Sequence, residues 1–182
     1  RGQIVTAPPT RHQARITGLD RVADAVMRLR LTLLDDAGGP SSADFESGQF
    51  VRIWVPGRDA RRAYSPANVA NWDGELEFYI RLLPGGAMSE YLSGTAALGD
   101  ELTVTAATGE FGLAESGLRP RWFIAGGTGL SPLLSMLRRM PGYWILTAMF
   151  RPSLRRRRGF LRWPGCLRSS GWHRAAARAG ST

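Results

Sequence analysis

The pattern of apolar and polar positions changes character along this chain. Up to about residue 106 it runs mostly with a period of two, the mark of half-buried strands. "ARITGLDRV" (14–22) and "AVMRLRLTLL" (25–34) open this region, and the second alternates through Val26, Arg28, Arg30 and Thr32. Further strands are predicted at 49–56 ("QFVRIWVP"), 61–65, 75–81 ("ELEFYIR") and 101–106 ("ELTVTA"). "DDAGGPSSADFESG" (35–48) reads as a long surface loop. "ANWDGE" (70–75) reads as a turn, because Asp-Gly favours the tight hairpin conformation. Six short strands with such turns predict a closed antiparallel barrel over residues 11–115.

One helix interrupts the strands. "GGAMSEYLSG" (85–94) places Ser89 and Glu90 in an early turn and Gly94 near the stop. At 121–140 the pattern becomes an apolar strand ("WFIA"), a glycine turn and an amphipathic helix with Leu130, Leu133, Leu134 and Leu137 on one face. That is half of a βαβ unit, so residues 116–141 are expected to start an incomplete α/β nucleotide-binding domain. Its leucine face, unpartnered, would promote association through exposed apolar surface. "RGQIVTAPPT" (1–10) reads as a linker, and Arg1 in first place suggests a fragment or processed piece.

Charge alters the reading of the last quarter. The formal net charge is +9, and all 24 basic residues are arginines. The 15 acidic residues all fall in residues 1–140, where 15 arginines balance them. The remaining nine arginines lie in 141–182 and supply the whole excess. One origin for this Arg-rich segment is a tail that binds nucleic acid or anionic lipid. The other is an out-of-frame read through a GC-rich gene, which also accounts for the arginine bias and the loss of pattern. The second is the expectation for 142–182, with no nucleic-acid and no membrane partner for the protein. Cys166 is the only cysteine, so the chain alone cannot build a disulfide, a cysteine-ligated zinc site or an iron–sulfur cluster. His12 and His173 have no ligand partners nearby, no metal site is expected, and "RRMP" (138–141) reads as a solvated helix end. No apolar run reaches membrane-spanning length, and a cytoplasmic location is the default.

Four stretches carry candidate chemistry. Arg62, Ala63, Tyr64 and Ser65 end a predicted strand with a forked phosphate donor, a flat ring and a hydroxyl. Gly86, Ala87, Met88 and Ser89 open a helix, where backbone N–H groups and the helix dipole favour an anion. Gly126, Gly127, Thr128 and Gly129 form a strand-to-helix glycine turn of the kind that binds nucleotides, without matching G-x-G-x-x-G. Tyr79, Ile80 and Arg81 would lie on a strand neighbouring the first stretch and wall a planar ligand. Taken singly, each also fits an ordinary barrel edge, helix cap or turn. The carboxylates show no pairing that suggests hydrolysis.

In order and spacing, Arg-x-Tyr-Ser, a Gly-x-x-Ser helix start and Gly-Gly-Thr-Gly resemble the ferredoxin–NADP reductase family. "RRAYSPANVANWDGELEFYIRLLPGGAMSEYL" and "FIAGGTGLSPLLSMLRRM" look closest to reductase components of bacterial multicomponent oxygenases, the soluble methane monooxygenase reductases among them. The resemblance covers roughly residues 10–140. It implies a mainly β, six-stranded antiparallel Greek-key barrel that binds FAD. Arg62 and residues 86–89 would meet the pyrophosphate, Tyr64 would stack on the isoalloxazine, and Ser65 would lie near flavin N5. Gly127, Thr128 and Pro132 would belong to the face where the nicotinamide arrives, with Ser65 and Thr128 as the catalytic pair. It further implies NADH as electron donor, a [2Fe-2S] domain absent from this chain, and the hydroxylase component of an oxygenase as partner. The chain would keep the flavin step only. The rival expectation is a non-enzymatic module using its Arg-rich tail.

Overall fold

The computed structural model describes residues 10–113 and 122–140. Residues 1–9, 114–121 and 141–182 lie outside the described residues, and with them most of the expected linker (1–10), the first part of the expected second domain (116–141) and the whole expected tail (142–182). Six strands form the frame: β1 (Arg11–Ala23), β2 (Val26–Leu34), β3 (Val51–Trp54), β4 (Arg61–Tyr64), β5 (Glu75–Arg81) and β6 (Glu101–Thr105). They make a single antiparallel sheet in the order β4-β3-β6-β1-β2-β5, which bears out the mainly β, six-stranded expectation. Two helices accompany them, α1 (Ala87–Gly94) and α2 (Leu130–Arg139), the latter entered through a 3-10 turn at Gly127–Gly129.

Alternation explains how the sheet encloses a core. Partners directly opposite in an antiparallel pair share a face. Ile16 opposes Leu31, Leu29 opposes Phe78 and Leu31 opposes Leu76, and all five are buried. Ile53 opposes Val104, which carries the same face to the other side of the sheet. Met88 and Leu92, one helical turn apart on α1, cap this core. Burying one such side chain contributes about 1.5–3 kcal/mol.

The two edge strands, β4 and β5, are bridged by the segment that follows β4. Ala67 N–H donates to Glu77 O at 2.7 Å. Glu77 N–H donates to Asn68 Oδ1 at 2.9 Å, and Asn68 Nδ2 donates to Glu75 O at 2.7 Å. Pro66 fits here because it ends β4 and supplies no N–H to a ladder.

The structure corrects several sequence expectations. The Asp-Gly turn is real, with Gly74 at φ +71° and a Cβ there placed 2.0 Å from Ser41 O. It does not close a hairpin, since β4 and β5 stand at opposite ends of the strand order. It packs instead on the 35–48 loop, where Ala43 N–H donates to Asn71 O at 2.9 Å. That loop is not merely a surface feature: Ala43 and Phe45 are buried in the core. Residues 122–126 form no strand, and Trp122 and Ile124 are 88% and 92% exposed. A strand needs a ladder partner, and among the described residues none stands beside this stretch. The leucine face of α2 is less open than its pattern predicts, with Leu133, Met136 and Leu137 buried. Nor is the end of α2 simply solvated, because Arg138 bonds Glu77 and Ala67 O, and Arg139 bonds Glu46.

Candidate functional site

The two arginines that begin β4 serve different faces. Arg61 opposes Trp54, and its guanidinium lies 5.6 Å from that ring, with Arg11 at 4.7 Å. Arg62 opposes Ile53 and Tyr64 opposes Val51, both core residues, so these two take the inward face. Yet Arg62 is exposed, because β4 is an edge strand with no further strand beyond it. Its Nη1 donates to Arg61 O at 2.9 Å, a contact that a stronger acceptor can replace.

Tyr64 is half-buried, its ring set edge-on to Phe78 with centroids 6.3 Å apart. Burial pushes its phenol up to about 12, against a smaller downward pull from Arg62. The hydroxyl is therefore neutral at any ordinary pH. Burial also raises the Tyr79 phenol, with Glu77 acting in the same direction and Arg138 and Arg28 opposing.

Ala63, Tyr64, Ser65, Tyr79, Thr128, Gly129, Ser131 and Pro132 line one cavity of about 210 Å³. Three stretches far apart in sequence thus converge: the end of β4, the outer face of β5, and the turn into α2. The 3-10 turn lies against β5, which accounts for Thr128 meeting Tyr79. Tyr79 reaches the Ala63–Ser65 stretch across the seam of the sheet, not as the neighbouring strand the pattern suggested.

The other expected residues stand outside this lining. Ile80 and Met88 direct their side chains into the core, leaving their backbone as the available part. Arg81 is exposed at the end of β5, opposite Val26. Gly126 and Gly127 flank the cavity turn, and a Cβ on either would meet nothing within 4 Å. At the start of α1, the N-cap Gly86 offers no side-chain cap to the first N–H groups, Ala87 is partly buried, and Ser89 is buried. Ser89 Oγ accepts Leu83 N–H at 2.8 Å, so it braces the turn from inside. Arg58 Nη2, in the turn between β3 and β4, pairs with Glu90 at 2.6 Å and ties α1 to the connection that leads into Arg62. Uncapped N–H donors at the start of α1 and the exposed guanidinium of Arg62 are groups of the kind that hold a diphosphate.

Pattern reasoning missed Ser131. It is 4% exposed, lines the cavity, and its Oγ has no hydrogen-bond partner among the described residues. An orphaned buried hydroxyl at a cavity is chemistry waiting for a polar occupant. An aromatic ring, several hydroxyls and glycine backbone around one concave site suit a flat heterocycle with polar edges. The residues present fit a flavin.

Comparison with known proteins points the same way. The family model described as oxidoreductase FAD-binding domain matches residues 13–112. Methane monooxygenase component C of Methylosinus trichosporium is 47% identical over 127 residues, covering 70% of this chain and 37% of that protein. The anthranilate 1,2-dioxygenase electron transfer component of Acinetobacter baylyi is 43% identical over 122 residues, covering 67% and 34%. Among solved structures, phthalate dioxygenase reductase superposes with a TM-score of 0.56 at 29% identity, covering 69% of this chain and 38% of that one. Its structure is described as modular, for electron transfer from pyridine nucleotides to [2Fe-2S]. The chain spans little more than a third of the length of these relatives.

Proposed function

This chain belongs to the family of oxidoreductase FAD-binding domains, and from that premise we propose that its cleft holds FAD and takes part in electron transfer from NADH. The observation that carries the reading is the meeting of Tyr64, Ser65, Tyr79 and Thr128 around one cavity. FAD, when bound, would supply a two-electron acceptor for one hydride from the nicotinamide and a donor that releases the two electrons one at a time. In this reading Tyr64 would hold the flavin with its flat ring, and burial keeps its phenol neutral. Ser65 and Thr128, which both line the cavity, would offer hydroxyls to the polar groups of the flavin. Arg62 and the first N–H groups of α1 take the diphosphate. Thr128, Gly129 and Pro132 would shape the approach of a nicotinamide, and together with Tyr79 they would limit water at the site.

Residues 116–141 are read as the first part of a nicotinamide-binding α/β domain, supported by the glycine turn and α2. The whole protein is proposed to pass electrons onward to a [2Fe-2S] centre in another domain, and from there to the hydroxylase component of an oxygenase. Relatives that serve methane and anthranilate oxygenation support that partner class. A cytoplasmic location goes with an NADH donor. No described helix is long and apolar enough to cross a membrane. The rival, a polyanion-binding module, rests on a tail outside the described residues.

The test is reconstitution. Chain mixed with FAD and passed through a desalting column should stay yellow, bleach with dithionite, and recover colour in air. A colourless chain, with all flavin in the small-molecule fraction, would remove the proposal.

A further inference from the structure

Helix α2 carries a serine, Ser135, at a fully buried position. Its Oγ lies 2.6 Å from Asn68 O and 2.9 Å from Ser47 Oγ. A hydroxyl has one hydrogen and a carbonyl can only accept. Ser135 therefore donates to Asn68, and Ser47 donates to Ser135. An alanine would nearly fill the same space, but it would leave the Asn68 carbonyl and the Ser47 hydroxyl without this partner.

Asn68 follows Ser65 by three residues, and its side chain is already committed to β5 through Glu75 and Glu77. One turn further along α2, Arg138 donates to Ala67 O and to Glu77, both at 2.9 Å. The carbonyls of Ala67 and Asn68 are thus held by α2, while the N–H of Ala67 and the side chain of Asn68 are held by β5. At its other end α2 begins directly after Thr128 and Gly129, which line the cavity. A helix is stiff over ten residues, and a buried hydrogen bond is directional where an apolar contact is not. Sliding α2 would break the Ser135 bond before it cost much apolar contact.

We propose that Ser135 is a positioning residue that fixes the Thr128 turn against Tyr64 and Ser65 through the backbone of Asn68, with Arg138 as a second tie. The functional value of that register rests on the reading of the cleft as the place where flavin and nicotinamide meet. The tie itself does not depend on any ligand.

The experiment compares the parent chain with Ser135→Ala, Ser47→Ala and Arg138→Gln by amide hydrogen exchange, with and without FAD. Iodide quenching of bound flavin gives a second readout. Ser135→Ala should raise exchange about tenfold in residues 127–139 and 66–71, while β1 and β2 keep parental rates. Its FAD affinity should stay within about threefold, and iodide should reach the flavin more easily. Ser47→Ala should stay near the parent, since the Asn68 bond survives. Arg138→Gln, changed at an exposed position, should loosen the same two segments to a smaller degree, and it carries the test if Ser135→Ala does not fold. Unchanged exchange in 127–139, or an equal rise across β1, β2 and β5, overturns the proposal. The expected exchange differences between Ser135→Ala and the parent, found in a chain that binds no FAD, would sink the flavin reading and leave the tie standing.

Discussion

Replacing Arg62 by alanine should weaken FAD binding without weakening the fold. Its one described hydrogen bond goes to the carbonyl of its neighbour Arg61, and the side chain is exposed, so removal leaves no buried group unpaired. Thermal stability should therefore stay within about 0.5 kcal/mol of the parent. Toward the ligand, a charge-assisted bond to a phosphate oxygen is worth about 1.5–3 kcal/mol. Exposure favours the lower part of that range, because solvent and salt screen the contact. About 1.5–2 kcal/mol corresponds to roughly ten- to thirtyfold in dissociation constant. Flavin fluorescence titration of the apoprotein at two salt concentrations measures this directly. Arg62→Lys should fall between, since an ammonium keeps the charge but loses the fork. The salt dependence of binding should be smaller in Arg62→Ala than in the parent. Equal affinity of parent and alanine variant would remove Arg62 from the site. A melting point lowered in parallel would show instead that the side chain serves the fold.

Gly74→Ala should cost about 2–4 kcal/mol, since it combines a left-handed backbone at φ +71° with a Cβ 2.0 Å from Ser41 O; urea unfolding checks it, and a loss below about 0.5 kcal/mol would contradict the turn geometry. The Tyr64 phenol sits above its ordinary value of 10 because of burial, at about 12. A raised phenol favours the protonated folded state, so its stabilising share is fully present below pH 10 and is lost as pH rises to about 12. Allowing for the part of the ring that meets solvent, the loss should be no more than about 1–2 kcal/mol, read from chemical unfolding at a series of alkaline pH values. Tyr91 is raised by burial and by its bond to Asp100, and it adds to the same alkaline loss. Removal of residues 141–182 should leave FAD affinity within about fivefold, because every described lining residue precedes them.

The frame was legible because strands buried on one face must alternate. Each of the six predicted barrel strands appears within a few residues of its expected place, whereas the strand expected at "WFIA" does not form. The sequence could not reveal which strands meet. Asp73-Gly74 signals a turn, but hairpin or longer excursion depends on the partners of β4 and β5, and those are remote in sequence. Ala43 and Phe45 look like loop residues because polar neighbours surround them; their burial is decided by the Asn71 contact across the molecule. At the site, Tyr64, Ser65 and Thr128 stood out because their side chains suit a cofactor and sit beside proline or glycine. Ser131 and Ser135 did not, since serine on an amphipathic helix reads as neutral until its surroundings are known. Arg138 looked solvated for the same reason, as its partners lie on β5 and on the segment after β4.

The most direct test of the central claim is a flavin titration of the chain, with FAD and FMN run side by side and Tyr64→Leu as a second protein. FAD should saturate at about one equivalent, and its fluorescence should be strongly quenched by the stacked ring. FMN should bind more weakly, having no adenosine half to hold, and Tyr64→Leu should restore much of the fluorescence of whatever flavin it retains. Absence of saturable FAD binding, or fluorescence that does not respond to the loss of Tyr64, would contradict the account.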